Sequence, residues 1–108
     1  MRKVIVESPF SGDVERNLTY GRRCMRDCIL RGETPYASHL LYTQLGVLDD
    51  TIPEERKLGM EAGFAWHSSA QASVVYTDYG MSRGMEEGIR RAKEAGLAIE
   101  YRQIGTNP

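Results

Sequence analysis

No apolar run in this 108-residue chain approaches the roughly 20 residues that cross a bilayer, so no membrane span is expected. Charge of one sign is also missing. The 14 Lys and Arg against 15 Asp and Glu leave a formal net charge of −1, which offers no basic field for a nucleic-acid backbone. Cysteine is scarce: Cys24 and Cys28 stand four apart on one expected helix, where near-parallel Cβ vectors suit a disulfide poorly. Reduced core thiols are the expectation. The two histidines, His39 and His67, lie far apart with too few companion ligands, so neither a metal nor a cofactor is expected. Met1-Arg2-Lys3 followed by Val4-Ile5-Val6 is too short for a signal peptide and reads as a first strand, which points to the cytoplasm. Repeats and low-complexity segments are absent. The length fits one domain, 1–108, with a core of modest size.

What is present is alternation. Lys3–Glu7 is an apolar run suited to a strand buried on both faces. Ser11 or Asp13 can cap a helix from 13 to 31, whose stripe would be Val14, Leu18, Cys24, Met25, Cys28 and Ile29, with Gly32 as its stop. Thr34–Ser38 reads as a second strand, placed at an edge or a strand start by Pro35. "HLLYTQLGVLDD" is a long apolar connection. Thr51-Ile52-Pro53-Glu54 reads as a capping box opening a helix to about Ser69 that buries Leu58, Ala62, Ala65 and Trp66. Ala72–Tyr76 is a third strand. Ser82–Ala95 is a third helix with Met85, Ile89 and Ala92 inward, Leu97–Arg102 a fourth strand, and "GTNP" a tail. The order βαβαβαβ predicts an α/β fold: a four-stranded parallel sheet in a flavodoxin-like or Rossmann-like three-layer sandwich.

In such folds ligands bind beyond the carboxyl ends of the strands, where strand order reverses. Three segments would meet there: 7–13, 38–45 and 77–87. In the first, Ser8, Pro9, Phe10, Ser11 and Gly12 form a loop whose backbone N–H groups either attract a phosphate or carboxylate or make a plain capped turn. Asn17, one turn into the helix, faces either the pocket or solvent. His39 either contacts a ligand or stiffens its loop through a backbone carbonyl. In "YTDYGMSRGMEEG", Gly80 permits a tight turn, Asp78 and Ser82 either contact a ligand or satisfy orphan N–H groups, and Gly84 lets a ligand approach the backbone. Glu86 and Glu87 complement the helix dipole in either case. Tyr79 is placed to stack on a base, Trp66 belongs to the core, and His67 to the surface.

The segments "VIVESPFSGD", "PYASHLLY", "EERKLGMEAGFAW" and "SVVYTDYGMSRGMEEGIRRAKEAGLAIEYR" together resemble a family of small, mostly phage-encoded proteins of unassigned function. That family lies within the nucleoside 2-deoxyribosyltransferase-like superfamily. The likeness spans nearly the whole chain, and its most specific motif is S-x-G-M at Ser82, Gly84 and Met85. It implies a flavodoxin-like sheet, homo-oligomeric assembly and a nucleoside or nucleotide pocket near subunit interfaces. Active members of the superfamily use a nucleophilic Glu four residues after the motif glycine, where this chain has Gly88. A second family carboxylate precedes an apolar-Ala-Trp segment; here Gly63 precedes Phe64-Ala65-Trp66. Neighbouring helix positions point about 100° apart, so with Met85 and Ile89 inward Glu87 looks outward.

The resemblance therefore implies a protein that binds a nucleotide-derived small molecule without cutting it, with Ser82, Arg83, Gly84 and Met85 at the ligand. Two glycines would enlarge the pocket and remove negative charge. A phage protein of this kind could sequester a host immune signal such as an ADP-ribose derivative or a cyclic nucleotide. The alternative is an N-glycoside hydrolase or deoxyribosyltransferase acting on nucleosides or their monophosphates, with Glu87 as its nucleophile. A structural oligomer with a vestigial pocket is the third reading.

Overall fold

The computed structural model describes residues 1–106, so Asn107 and Pro108 of the expected tail lie outside the described residues. The chain runs β1 (Arg2–Glu7), α1 (Val14–Leu30), β2 (Glu33–Tyr36), α2 (Ser38–Leu41), α3 (Pro53–Phe64), a 3₁₀ turn (His67–Ser69), β3 (Ala72–Tyr76), α4 (Arg83–Glu94) and β4 (Ala98–Arg102). The four strands form one parallel sheet in the order β2-β1-β3-β4. The α/β Rossmann-like arrangement is thus the one that the alternation dictates. Pro35 sits on the edge strand β2, where its missing N–H costs no ladder bond. None of the described helices is long and apolar enough to cross a membrane.

Strand periodicity divides the core. Val4 and Val6 of β1 pack with Tyr20, Cys24 and Cys28 of α1 and with Val74 and Tyr76 of β3. On the other face Val75 meets Met85 and Ile89 of α4. Alternation therefore sends Ile5 and Glu7 to the α4 side, away from Val4 and Val6. Both cysteines are buried and free.

Helix ends follow local chemistry. Asp13 caps α1 by accepting from the Arg16 N–H at 3.1 Å, and Ser82 caps α4 by accepting from the Met85 N–H at 3.2 Å. Gly32 ends α1 with φ +83°, a conformation most side chains resist. The expected Thr51 capping box does not form. Ile52 occupies the cap without a side-chain bond, Thr51 Oγ1 donates to Asp49, and Pro53 begins the helix.

Two expected helix faces are rotated. In α1 the buried set is Asn17, Tyr20, Gly21, Cys24 and Cys28, which leaves Val14 and Ile29 exposed. Leu58 and Ala62 of α3, and Ala65 and Trp66 just beyond it, are all exposed. That helix packs through its glycines instead. A Cβ on Gly63 would lie 2.6 Å from Ser38 Oγ, and one on Gly59 would lie 3.3 Å from a Leu48 methyl. Close approach, not apolarity, decides which side turns in. The helix also ends at Phe64, and the 3₁₀ turn that follows buries His67 against Phe64 and leaves Trp66 outside, the reverse of expectation. Trp66 lies over Tyr36 and donates from Nε1 to the Tyr42 hydroxyl at 3.1 Å.

Candidate functional site

The strand order reverses between β1 and β3, and beyond their carboxyl ends lies a cavity of about 300 Å³. Its floor is the end of β1, Glu7 and Ser8, with His39 of α2. Phe10 and Ser11 of the loop after β1, and Ser82 to Met85 at the start of α4, form one wall. The opposite wall comes from Leu48 and from Met60 and Phe64 of α3, with Arg56 at the mouth. Arg56 donates to Ser11 Oγ at 2.9 Å and to Asp50 at 2.7 Å. The contribution of α3 was missed from sequence, because its inward face mixes Met60 and Phe64 with Gly59, Gly63 and Arg56, while the more apolar-looking stripe of Leu58 and Ala62 is exposed.

Of the residues expected at a site, Ser8, Phe10, Ser11, His39, Ser82, Arg83, Gly84 and Met85 line this cavity. The others do not. Pro9 is buried behind the loop, and Gly12 makes its turn with φ +98°. Asn17 is fully buried, and its amide donates to the carbonyls of Phe10 at 2.9 Å and Ser11 at 3.2 Å. It shapes the loop from behind, without reaching the pocket or solvent.

Asp78 is committed elsewhere. It accepts from the Tyr20 hydroxyl at 2.5 Å, from the Ile104 N–H at 3.0 Å and from the Gly105 N–H at 2.8 Å. Burial alone would raise its pKa, but those hydrogen bonds outweigh burial and hold it below the usual carboxylate range. Asp78 thus ties the chain beyond β4 to α1. Tyr79 follows it, edge-on to Tyr20 at 4.8 Å and beneath the Arg16 guanidinium at 3.9 Å. It borders a separate shallow depression with Arg16 and Thr106. Glu87 lies outside the cavity lining and is held by Arg90 at 2.5 Å, which keeps its pKa low. Among the described residues, no three His, Cys, Asp or Glu side chains converge as metal ligands would.

The space beside Gly88 is occupied. A Cβ built there would fall 2.2 Å from Glu7 Oε2 and 2.6 Å from Glu7 Cδ, so the carboxyl of β1 rests against the bare backbone of α4. Ser38 likewise fills the space beside Gly63, at 2.6 Å. The two glycines do not enlarge the pocket, contrary to expectation. They admit side chains from other elements, one of them a carboxyl. Burial alone pushes Glu7 up to about 8, no hydrogen bond or neighbouring charge contributing. Burial also pushes His39 down to about 4, and its Nε2 lies 2.7 Å from Ser8 Oγ. At neutral pH most of the floor is uncharged. Glu7 could have been suspected from sequence as an acid on the same strand face as Ile5, two residues before it.

These shifts act on stability in opposite senses. Glu7 binds its proton more tightly when folded, so its contribution is full below the ordinary 4.5 and is lost as pH rises to about 8. His39 binds its proton less tightly when folded, so its contribution is full above 6.5 and is lost as pH falls to about 4. The two offset between 4.5 and 6.5, above which Glu7 alone acts. Urea unfolding should therefore show stability falling from pH 6.5 to 8, and Glu7→Gln should remove that fall. A decline of equal size in the Gln variant would show that another group is responsible.

The structure is thus an open parallel α/β sheet with a partly enclosed cavity at its carboxyl edge, apolar on the wall of Leu48, Met60 and Phe64 and polar on its floor. Among solved structures, the chain is similar to a 2-deoxyribosyltransferase from the psychrotolerant bacterium Bacillus psychrosaccharolyticus. The two share 15% identity and a TM-score of 0.63 over 94% of this chain and 72% of that one, a likeness of fold. No curated protein matches. The chain belongs to the family described as a domain of unknown function, DUF7768, whose profile matches residues 2–102.

Proposed function

We propose that this protein binds a nucleoside or nucleotide in the cavity at the carboxyl edge of its sheet. The observation that carries the reading is the graded chemistry of that cavity. Leu48, Met60 and Phe64 form an apolar wall suited to a base. The uncharged polar floor suits sugar hydroxyls. The mouth carries Arg56 and Arg83 beside the first turn of α4, where backbone N–H groups and the helix dipole favour an anion such as a phosphate. Gly84 narrows nothing there: a Cβ would meet Arg56 at only 3.4 Å, so the arginine lies directly over the helix start. The fold shared with a 2-deoxyribosyltransferase is consistent with a ligand of this class.

Calorimetry with nucleosides, nucleoside monophosphates, ADP-ribose derivatives and cyclic nucleotides tests the reading. At least one class should bind below millimolar concentration. Arg56→Ala should then weaken a phosphorylated ligand by about tenfold or more, as expected for a charge-assisted bond of about 1.5–3 kcal/mol, and leave the matching nucleoside unchanged. Absence of binding across the panel at sub-millimolar concentration would leave a structural protein with an unused cavity.

A further inference from the structure

We propose that this cavity is built for a ribose rather than a 2-deoxyribose: the Glu7 carboxyl, at the end of β1, hydrogen-bonds the vicinal 2′- and 3′-hydroxyls of the bound nucleoside or nucleotide. The inference rests on the binding reading above and names the sugar that the site takes. Three observations carry it. First, the carboxyl lines the cavity floor, is only partly covered and has no partner of its own. Neither a hydrogen bond nor a charge among the described residues perturbs its titration, whereas Asp78 and Glu33, which hold the fold, have such partners. Burial makes an unpartnered carboxyl costly, so a ligand that brings hydroxyls to it is favoured.

Second, Gly88 fixes where the group lies. A Cβ there would meet Oε2 at 2.2 Å, Cδ at 2.6 Å and Oε1 at 2.8 Å, so the whole carboxyl, and not one oxygen alone, rests against the bare backbone of α4. Two adjacent hydroxyls match its paired oxygens. A carboxylate accepts from both, and the neutral acid accepts from one and donates to the other, so two bonds form in either ionisation state. In dinucleotide-binding folds an acidic side chain reads the ribose 2′-hydroxyl in the same sense. Third, the carboxyl is correctly spaced from the anion site. Gly88 follows Gly84 by four residues, so it lies about 6 Å further along α4 than the turn where a phosphate is placed. That is close to the span from a nucleotide's 5′-phosphate to the far edge of its sugar. Ser8 and His39 satisfy each other at 2.7 Å and add no charge to the floor at neutral pH. A 2′-deoxy sugar would leave one carboxyl oxygen unmet, the situation in which sites reject an analogue lacking a hydroxyl. The sugar is thus a ribose, although the solved structure of like fold is named for a 2-deoxyribosyl group.

Matched pairs in calorimetry test the assignment. Each ribonucleoside or ribonucleotide that binds the full chain is compared with its 2′-deoxy counterpart, and with its 3′-deoxy counterpart where that hydroxyl is free. Loss of either hydroxyl should weaken binding by about tenfold or more. Glu7→Ala should weaken the ribo form by a similar factor and leave the 2′-deoxy form within about threefold, because two deletions at one contact are not additive. The preference for ribose should therefore vanish in that variant. Glu87→Gln, outside the cavity lining, should keep it. A 2′-deoxy form bound as tightly as the ribo form, or a preference that survives Glu7→Ala, would overturn this inference and leave the binding reading standing. No binding by any nucleoside or nucleotide would remove both. If Glu7→Ala fails to fold, Glu7→Asp withdraws the carboxyl by one methylene and should shrink the preference; an unchanged preference there would overturn the inference equally.

Discussion

Gly88→Ala should destabilise this protein by about 1–3 kcal/mol, the usual cost of overpacking, although Gly→Ala inside a helix ordinarily stabilises by about 1 kcal/mol. Gly88 sits within α4, where glycine has no conformational advantage. It is tolerated because an added Cβ would meet Glu7 Oε2 at 2.2 Å and Oε1 at 2.8 Å. Glu7 must then shift, and because it lines the cavity the same substitution should also disturb any ligand bound there. The decisive measurement is a double-mutant cycle by urea unfolding. In a Glu7→Ala background the obstacle is gone, and Gly88→Ala should revert to the ordinary stabilising sign. Coupling of about 2 kcal/mol or more is expected, well above the few tenths seen between independent sites. If the two substitutions prove additive, the carboxyl does not rest against α4, and the argument for Glu7 in the cavity loses its geometric basis.

The second large effect lies on the opposite face of the sheet and concerns stability alone. Arg102 is buried and donates to both oxygens of Glu33, each at 2.7 Å, to Glu100 at 3.0 Å and to the Tyr76 hydroxyl at 3.2 Å. Arg2 joins the same group through Glu33 at 3.2 Å and through Glu100. Arg102→Met leaves Glu33 buried without its main partner and should cost about 3–5 kcal/mol. That is a large share of the roughly 5–15 kcal/mol typical of a small domain. Each kcal/mol should lower Tm by about 4–8 °C. The pair Arg102→Met with Glu33→Leu should recover most of the loss, since desolvation is no longer owed to either charge.

The bond from Arg102 holds the Glu33 carboxyl below its usual range, and the bond from Arg2 does the same for Glu100. Their stabilisation is therefore full above the ordinary carboxylate range and is lost as pH falls through the lowered folded values. Wild-type protein should lose stability in acid more steeply than the double variant. Equal acid sensitivity in the two would mean that this network contributes little.

The alternation of apolar runs with capped amphipathic segments determined by itself that this is a parallel α/β sheet with its loops gathered after β1, β2 and β3, where the cavity lies. Those signals are local: a period of two against 3.6, Asp13 and Ser82 at helix starts, Gly32 at a helix end. The loop after β1, His39 and the start of α4 were legible as site candidates for the same reason, since topology alone brings their segments together.

Tertiary structure decided the rest, wherever a residue's role depends on a partner distant in sequence. Asp78 looks like a ligand contact until the chain at 104–105 returns to donate to it. Leu58 and Trp66 look like core until the glycines of α3 win the inward face by close approach. Gly88 reads as a lost carboxylate until Glu7, on β1 and 81 positions earlier, is found in the space it leaves. A glycine is silent in sequence about what fills its missing side chain, because that volume belongs to whichever element the fold packs against it.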